Sequence, residues 1–498
     1  MMYVREIFTR LLIAVALISV IQDTVDATKR SVVNRPQSKK TEKSPGPMEP
    51  GDSPASTSDN PSTEEEEEEN FFPFIKTTSL SPDDVVGVIL KPNKTVLLGR
   101  EVYKIEPREK DFDFQNFFKQ FKNLLVVEVN GITLEITFLE DLQKFMPTML
   151  KGFAVRSCHI PENAYELIAE MLKKRPSIIS VSIVDAYASG EESEKVLASL
   201  GDLTKAEYLN LVFGEITKEG VENIIGLMNK SASTLREFAL GAISAALEEI
   251  YSTIGKLTAL TKFEIALIEI KTDDVASLGA ALSNLKKLEQ LQIFLFGLSE
   301  QDNVKRFEAC EKLSDSISKL KNLKHVDISS NKFPDDVMQL VMQALQSTPD
   351  LKSLNISGNK LTAKSAGLLA AVLPEAHNLK TLVANDCGID NKIFGVISEA
   401  LVQSPVEQLF FKNNLIGEAV ANWNVSQMPN LSLIDLANNG IDFQPFFTFY
   451  KSACKATKLA VANFTGNNLN VAAQTDRNNL EVWRAQNAKG SNIIILGM

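Results

Sequence analysis

Apolar residues along this chain recur in a fixed phrase. From Leu323 the chain reads LKHVDISSNKF, from Leu351 LKSLNISGNKL, and from Leu379 LKTLVANDCGI. Val406 opens VEQLFFKNNLI, Leu431 opens LSLIDLANNGI, and Leu459 opens LAVANFTGNNL. Inside each phrase apolar and polar positions alternate, which predicts a short strand with one buried face. Weaker copies open at Leu124, Leu150, Ile178, Ala206, Leu235, Leu260 and Leu288, giving thirteen units in all. They follow one another at 25 to 29 residues, apart from a gap of 35 between Leu288 and Leu323. Between phrases the apolar period changes to three and four, as in 334–350 and 362–378, which predicts a helix. Thr362 and the run Pro334-Asp335-Asp336 are helix start signals.

Each position has a physical duty. Val326 and Ile328 are expected in the core, and His325, Asp327 and Ser329 on the other face. The Asn at 331, 359, 414, 439 and 467 is expected to end the strand, its amide satisfying turn backbone groups. Ala186, Gly214, Ile243, Ile268 and Phe296 stand in that slot upstream. The phrase as a whole, L-x-x-L-x-L-x-x-[N/C]-x-L, resembles the leucine-rich repeat. That resemblance covers roughly 124–470. It implies an α/β solenoid, a horseshoe of about 13 repeats with parallel strands on the concave face and helices on the convex face. A period near 28 with a full helix resembles the ribonuclease-inhibitor-like class. The 35-residue gap predicts a convex helix over 302–322, about two turns longer than its neighbours.

The flanks read differently. Residues 1–27 carry Arg5 and Arg10 before an apolar run from Leu11 to Ile21, with small Val25 and Ala27 ahead of a cleavage point. This is the pattern of a secretory signal peptide, too short in its apolar run for a stable membrane span. Residues 28–70 are rich in Pro, Ser, Thr, Lys and Glu and end in Glu64–Glu69. Such a segment is expected to be a disordered acidic linker. Residues 71–123 are expected to form an N-terminal cap, a hairpin turning at Pro92-Asn93-Lys94 followed by a helix at 112–125. Residues 471–498 are expected to cap the other end, with a helix and an edge strand from SNIIILG.

Candidate chemistry is sparse. The four cysteines fall in different repeats, too far apart to bridge, so free thiols are expected. The three histidines, His159, His325 and His377, have no neighbours at metal-ligand spacing, and no phosphate loop or nucleophile elbow occurs. The reading is therefore non-enzymatic, with no cofactor and no metal. The net charge of −11 and the lack of a basic strip interleaved with aromatics exclude nucleic acid as the expected partner. What remains is a protein ligand, taken by a monomer.

Alternation places Phe294, His325, Asp327, Phe410, Lys412, Leu433 and Asp435 on the concave face. There Phe410 beside Lys412 is the best contact anchor, because aromatics carry much interface energy. Sequons at Asn93, Asn229, Asn424 and Asn430 are candidate glycosylation sites if the chain enters a secretory path. Asn355 and Asn463 also lie in sequons, but on strands of the concave face. Asn355→Ala is expected to cost little and Leu354→Ala about 2–5 kcal/mol. The function expected is a secreted protein-interaction scaffold. The alternative is an intracellular regulator of a GTPase or of actin capping. Ribonuclease-inhibitor-like repeats also occur in Ran GTPase-activating proteins and in CARMIL-type actin-capping regulators.

Overall fold

The computed structural model describes residues 87–497, apart from 92–93, 99–101, 106–113, 122–123, 204, 246, 269, 299–301, 470–473 and 488–492. The segments expected to be signal peptide and linker, the first part of the expected cap, and Asn93 lie outside the described residues. The segment 82–498 is one compact unit.

Seventeen strands occur among the described residues. They are β1 (Gly87–Lys91), β2 (Lys94–Leu98), β3 (Val102–Ile105), β4 (Val126–Asn130), β5 (Gly152–Arg156), β6 (Ser180–Asp185), β7 (Tyr208–Ile216), β8 (Glu237–Ala245) and β9 (Lys262–Leu267). The series continues with β10 (Gln290–Leu295), β11 (His325–Asp327), β12 (Ser353–Asn355), β13 (Thr381–Val383), β14 (Gln408–Phe410), β15 (Leu433–Asp435), β16 (Val461–Asn463) and β17 (Ile494–Leu496). The helices are α1 (Phe114–Lys119), α2 (Ile136–Phe145), α3 (Ala164–Lys173), α4 (Gly190–Leu200), α5 (Lys218–Lys230), α6 (Glu248–Ile254) and α7 (Thr272–Leu282). They continue as α8 (Asn303–Ile317), α9 (Asp335–Leu345), α10 (Ala363–Glu375), α11 (Asn391–Leu401), α12 (Phe443–Ala453) and α13 (Gln474–Asn487). Two 3₁₀ turns, Gly417–Asn422 and Val425–Gln427, stand in for a helix between β14 and β15.

The strands form one sheet. Its order is β3, β2, β1 and β4, then every strand in sequence to β17. Fifteen of them, β1 and β4 to β17, are parallel; β2 and β3 add an antiparallel end. Each parallel step is bridged by a helix or 3₁₀ turn, so one sheet face is covered and the other is open. The result is a leucine-rich-repeat solenoid. The thirteen phrases correspond to β4 through β16. Their apolar positions form a continuous core: Val326, Leu354, Leu382, Leu409, Ile434 and Ala462 are all at most 2% exposed.

The slot residue sets strand length. Asn359 donates its amide to the carbonyls of Ile328, Ile356 and Ser357 and accepts from the Phe333 amide. It thus ties its own turn to the repeat before it. Asn331, Asn414, Asn439 and Asn467 make equivalent links. Cys158 and Cys387 occupy the same slot, and the Cys387 thiol donates to the Ile356 carbonyl at 3.4 Å. Where one of these asparagines or Cys387 pulls the chain into a turn, strands β11 to β16 have three residues each. Where Gly214 or Ile243 replaces it, β7 and β8 run for nine. The residue before the slot turns left-handed: Ser330, Gly358, Asp386, Asn413, Asn438 and Gly466 all have φ between 55° and 76°.

The long repeat differs from expectation. Helix α8 has 15 residues against 11 in α9, about one extra turn rather than two. Of the seven residues the longer repeat adds, four lengthen α8 and three precede it, where Asp302 caps the helix by accepting from the Val304 and Lys305 amides. Expected over 302–322, the helix ends at Ile317. No helix among the described residues is long and apolar enough to cross a membrane.

Candidate functional site

Parallel register arranges the open-face side chains in rows across the sheet. One row reads Glu237, Lys262, Gln290, His325, Ser353, Thr381, Gln408, Leu433, Val461 and Ile494. The next reads Ala239, Glu264, Gln292, Asp327, Asn355, Val383, Phe410, Asp435, Asn463 and Leu496. Adjacent members are about 4.8 Å apart, the inter-strand spacing.

Much of the polar chemistry in these rows is satisfied internally. The Asn355 amide donates to the Asp327 carboxylate at 3.0 Å, and the Ser329 backbone N–H donates to its other oxygen at 2.9 Å. The same arrangement returns on β15 and β16, where Asn463 donates to Asp435 at 3.1 Å. The Thr381 hydroxyl donates to Gln408 at 3.3 Å. Nearer the start of the solenoid, the Arg156 guanidinium donates to the Ser182 hydroxyl at 2.9 Å and to the Tyr208 hydroxyl at 3.2 Å. Glu264 is different, having no hydrogen bond or ion pair among the described residues. Enclosure in the wall lifts its carboxyl above the ordinary range; Asp327 adds to the effect, while Lys262 and Arg156 oppose it. Asp327 is also raised by burial, against its hydrogen bonds from Ser329 and Asn355. Burial, with Lys352 and Lys324, lowers His325, so its imidazole is neutral over more of the pH range.

Apolar side chains remain partly open in one place. Val383 and Phe410 are adjacent in the second row. Leu433, Val461 and Ile494 are adjacent in the first. The two runs meet where Phe410 on β14 lies diagonal to Leu433 on β15. Val383, Phe410, Leu433 and Val461 are half-buried and Ile494 is 56% exposed. They make a stepped apolar strip toward the C-terminal edge, with exposed Lys412 beside it.

The residues expected to make contacts separate into three groups. Phe410, Leu433 and Asp435 come together on adjacent strands with Lys412 at their edge. His325 and Asp327 are three strands away on β11, and Asp327 is held inward, 6% exposed. Phe294 does not face solvent: it is 2% exposed, which corrects the expectation of an open aromatic there. The reason is its neighbourhood. Its register partner is Ala266, which in turn partners Gly241, and these small side chains leave room for the ring against the sheet. Val383, Val461 and Glu264 were visible as strand positions in the sequence, but alternation alone does not show which neighbours leave a side chain unsatisfied. Of the sequons, Asn229 and Asn424 are exposed and Asn430 is half-buried. Asn424 already accepts from the Ser426 and Ser452 hydroxyls at 2.7 Å each. Among the described residues no group of three or more His, Cys, Asp or Glu could hold a metal ion.

No protein-family model and no curated protein matches the chain. Among solved structures it is similar to an internalin from Listeria monocytogenes, at 14% identity and a TM-score of 0.41, over 76% of this chain and 88% of that one. It is similar to TLR13, solved in complex with ssRNA13, at 16% identity and a TM-score of 0.37, over 70% of this chain and 43% of that one. It is also similar to the Rad7–Elc1 complex in yeast, at 14% identity and a TM-score of 0.45, over 77% and 83%. At such identities the likeness concerns the repeat fold and carries no ligand.

Proposed function

We propose that the chain is a secreted, non-enzymatic scaffold of ribonuclease-inhibitor-like repeats that binds another protein on its open sheet face. The observation that carries the binding reading is the strip from Val383 through Phe410 and Leu433 to Val461. It is the apolar part of the wall whose neighbours, Asp435 with Asn463 and Thr381 with Gln408, already satisfy one another. A partner covering the strip gains apolar burial without stranding those polar groups. The rigid sheet also limits the ordering cost of binding. Secretion rests on the N-terminal charge-then-apolar pattern alone.

The test is recovery of partners from the native source, quantified against matched variants. Phe410→Ala and Leu433→Ala are expected to lower recovery of the bound protein at least tenfold, the scale of a hot-spot residue. Val304→Ala, on the helix side, is expected to leave it unchanged. Loss with Val304→Ala and not with Phe410→Ala overturns the assignment.

The four cysteines are all unpaired. This favours a second reading, the intracellular regulator of a GTPase or of actin capping, because thiols stay reduced in the cytosol. The N-terminal sequence of the mature protein decides between them. A start at Thr28 supports secretion, and an intact Met1 supports the cytosolic role.

A further inference from the structure

Because every repeat runs the same way, all helix-to-strand turns collect on one rim of the solenoid and all strand-to-helix turns on the other. The two rims differ in charge. The helix-start rim carries Asp302, Asp390 and Asp335, of which the first two cap helices directly. The strand-start rim is basic.

Helix C-termini favour cations, and some of these lysines are accounted for that way. Lys230 donates to the Gly201 carbonyl and Lys321 to that of Ser347, and Lys324 pairs with Glu289 at 2.8 Å. Six others have no such employment. Arg236, Lys256, Lys286, Lys287, Lys319 and Lys352 are exposed and make no side-chain hydrogen bond or ion pair among the described residues. They fall in successive turns leading into β8 through β12. The carboxylates nearest them in the turns are Glu207, whose backbone carbonyl accepts from the Arg236 amide, Glu289, already paired, and Asp350, which accepts from Asn378. Asp202 lies further back, before β7.

The same rim exposes two large apolar side chains at its N-terminal end, Met149 at 70% and Leu125 at 40%. They are neighbours: the Leu125 carbonyl accepts from the amides of Lys151 and Gly152, just after Met149. Lys173 is exposed at the end of α3, and Lys174 beside it pairs with Glu170 at 3.2 Å. Protruding apolar side chains in line with unpaired cations are what an anionic bilayer surface takes up, its headgroups meeting the lysines and its interfacial zone the apolar groups. The array spans roughly 40 Å from β4 to β12 at the inter-strand spacing. It has no aromatic side chain interleaved with the six cations, as a single-stranded nucleic acid would use.

We propose that the strand-start rim docks on membranes bearing anionic phospholipid, through Arg236, Lys256, Lys286, Lys287, Lys319 and Lys352 with Met149 and Leu125 inserted at one end. This contact is separate from the open-face strip and leaves that face free for a protein partner.

Co-sedimentation of the full chain with phosphatidylserine-containing and pure phosphatidylcholine vesicles tests it. Binding is expected to the anionic vesicles alone and to weaken with added salt. The triple variant Lys286→Glu, Lys287→Glu, Lys319→Glu is expected to lose affinity roughly a hundredfold, about fivefold for each lysine removed from the surface. A control reversing Lys305, Lys364 and Lys392 on the helix-start side gives the same net charge and is expected to bind nearly as wild type. Met149→Ser with Leu125→Ser is expected to weaken binding without changing its salt dependence. Three results would overturn the proposal: no binding to anionic vesicles at low salt, equal loss in the two triple variants, or binding to poly-aspartate or heparin without binding to vesicles.

Discussion

Asn359 touches three backbone carbonyls and one amide, and much of the C-terminal half rests on side chains like it. It is 1% exposed, so removing it leaves those groups without water to replace it. Asn359→Ala is expected to destabilise by about 2–3 kcal/mol. Asn359→Cys is expected to lose less, because Cys387 does the same work two strands along from Asn331. Leu354, fully buried, is expected to cost about 2–5 kcal/mol as Ala. Asn355→Ala, which strand alternation marks as nearly free, is expected to cost about 1–2 kcal/mol, since Asn355 is 8% exposed and bridges to Asp327. Urea melts of the four variants give the ranking. Core residues and slot asparagines were legible in the sequence because each repeats at the same offset. The duty of Asn355 was not, because it depends on which residue the neighbouring strand presents.

Glu264 and Asp327 extend the residue scale to pH. Both carboxyls hold a proton more tightly folded than unfolded. Between the ordinary carboxylate range and their raised folded values the native state binds more protons, so stability falls as pH rises through that window. Glu264→Gln removes the charge without removing a hydrogen bond. It is expected to flatten the decline in melting temperature between mildly acid and neutral pH and to leave the protein no less stable at neutrality. A steeper decline in the variant would show that Lys262 and Arg156 outweigh the burial.

At the scale of elements, one buried arginine links two helices. Arg175, just past the end of α3, is 3% exposed and donates to the carbonyls of Gln143, Met146 and Pro147 at the end of α2, and to Met171 in α3. Among the described residues no carboxylate answers it; the charge is spread over four carbonyls, and burial lowers its proton affinity. Arg175→Lys has too few donors in too narrow a fork to reach them all. It is expected to cost about 2–3 kcal/mol, read as a lower midpoint in thermal melts. The sequence showed helices and strands in their right places, and it marked the 35-residue gap. It did not show that the added helix would end at Ile317, nor that Phe294 would lie inward, the latter because it follows from contacts between elements rather than from periodicity.

At the scale of the whole molecule, each repeat touches only its neighbours, so the ends need not unfold with the middle. The chain has two tryptophans, one at each depth. Trp423 is 2% exposed in an aromatic run with Phe394 and Phe449. Trp483, on α13, packs against Phe447 and Tyr450. Trp423→Phe and Trp483→Phe leave single reporters, whose fluorescence against denaturant gives separate midpoints. The Trp483 signal is expected to change first. The solenoid itself was legible at this scale from thirteen copies of one phrase, while the opposed charges of its rims appeared only when the turns were gathered in space.

The amide that closes each turn reaches back by one repeat and no further. Any repeat whose slot holds Asn or Cys can therefore follow any other. Excising 351–378 would bring Cys387 to the position where Asn359 now grips Ile328. It would also bring Phe410 one strand nearer to Glu264. The separation between the apolar strip and the unpaired carboxylate is thus counted in whole repeats. A lineage that duplicated or lost one would change the length of partner the wall accepts while keeping every contact chemistry intact.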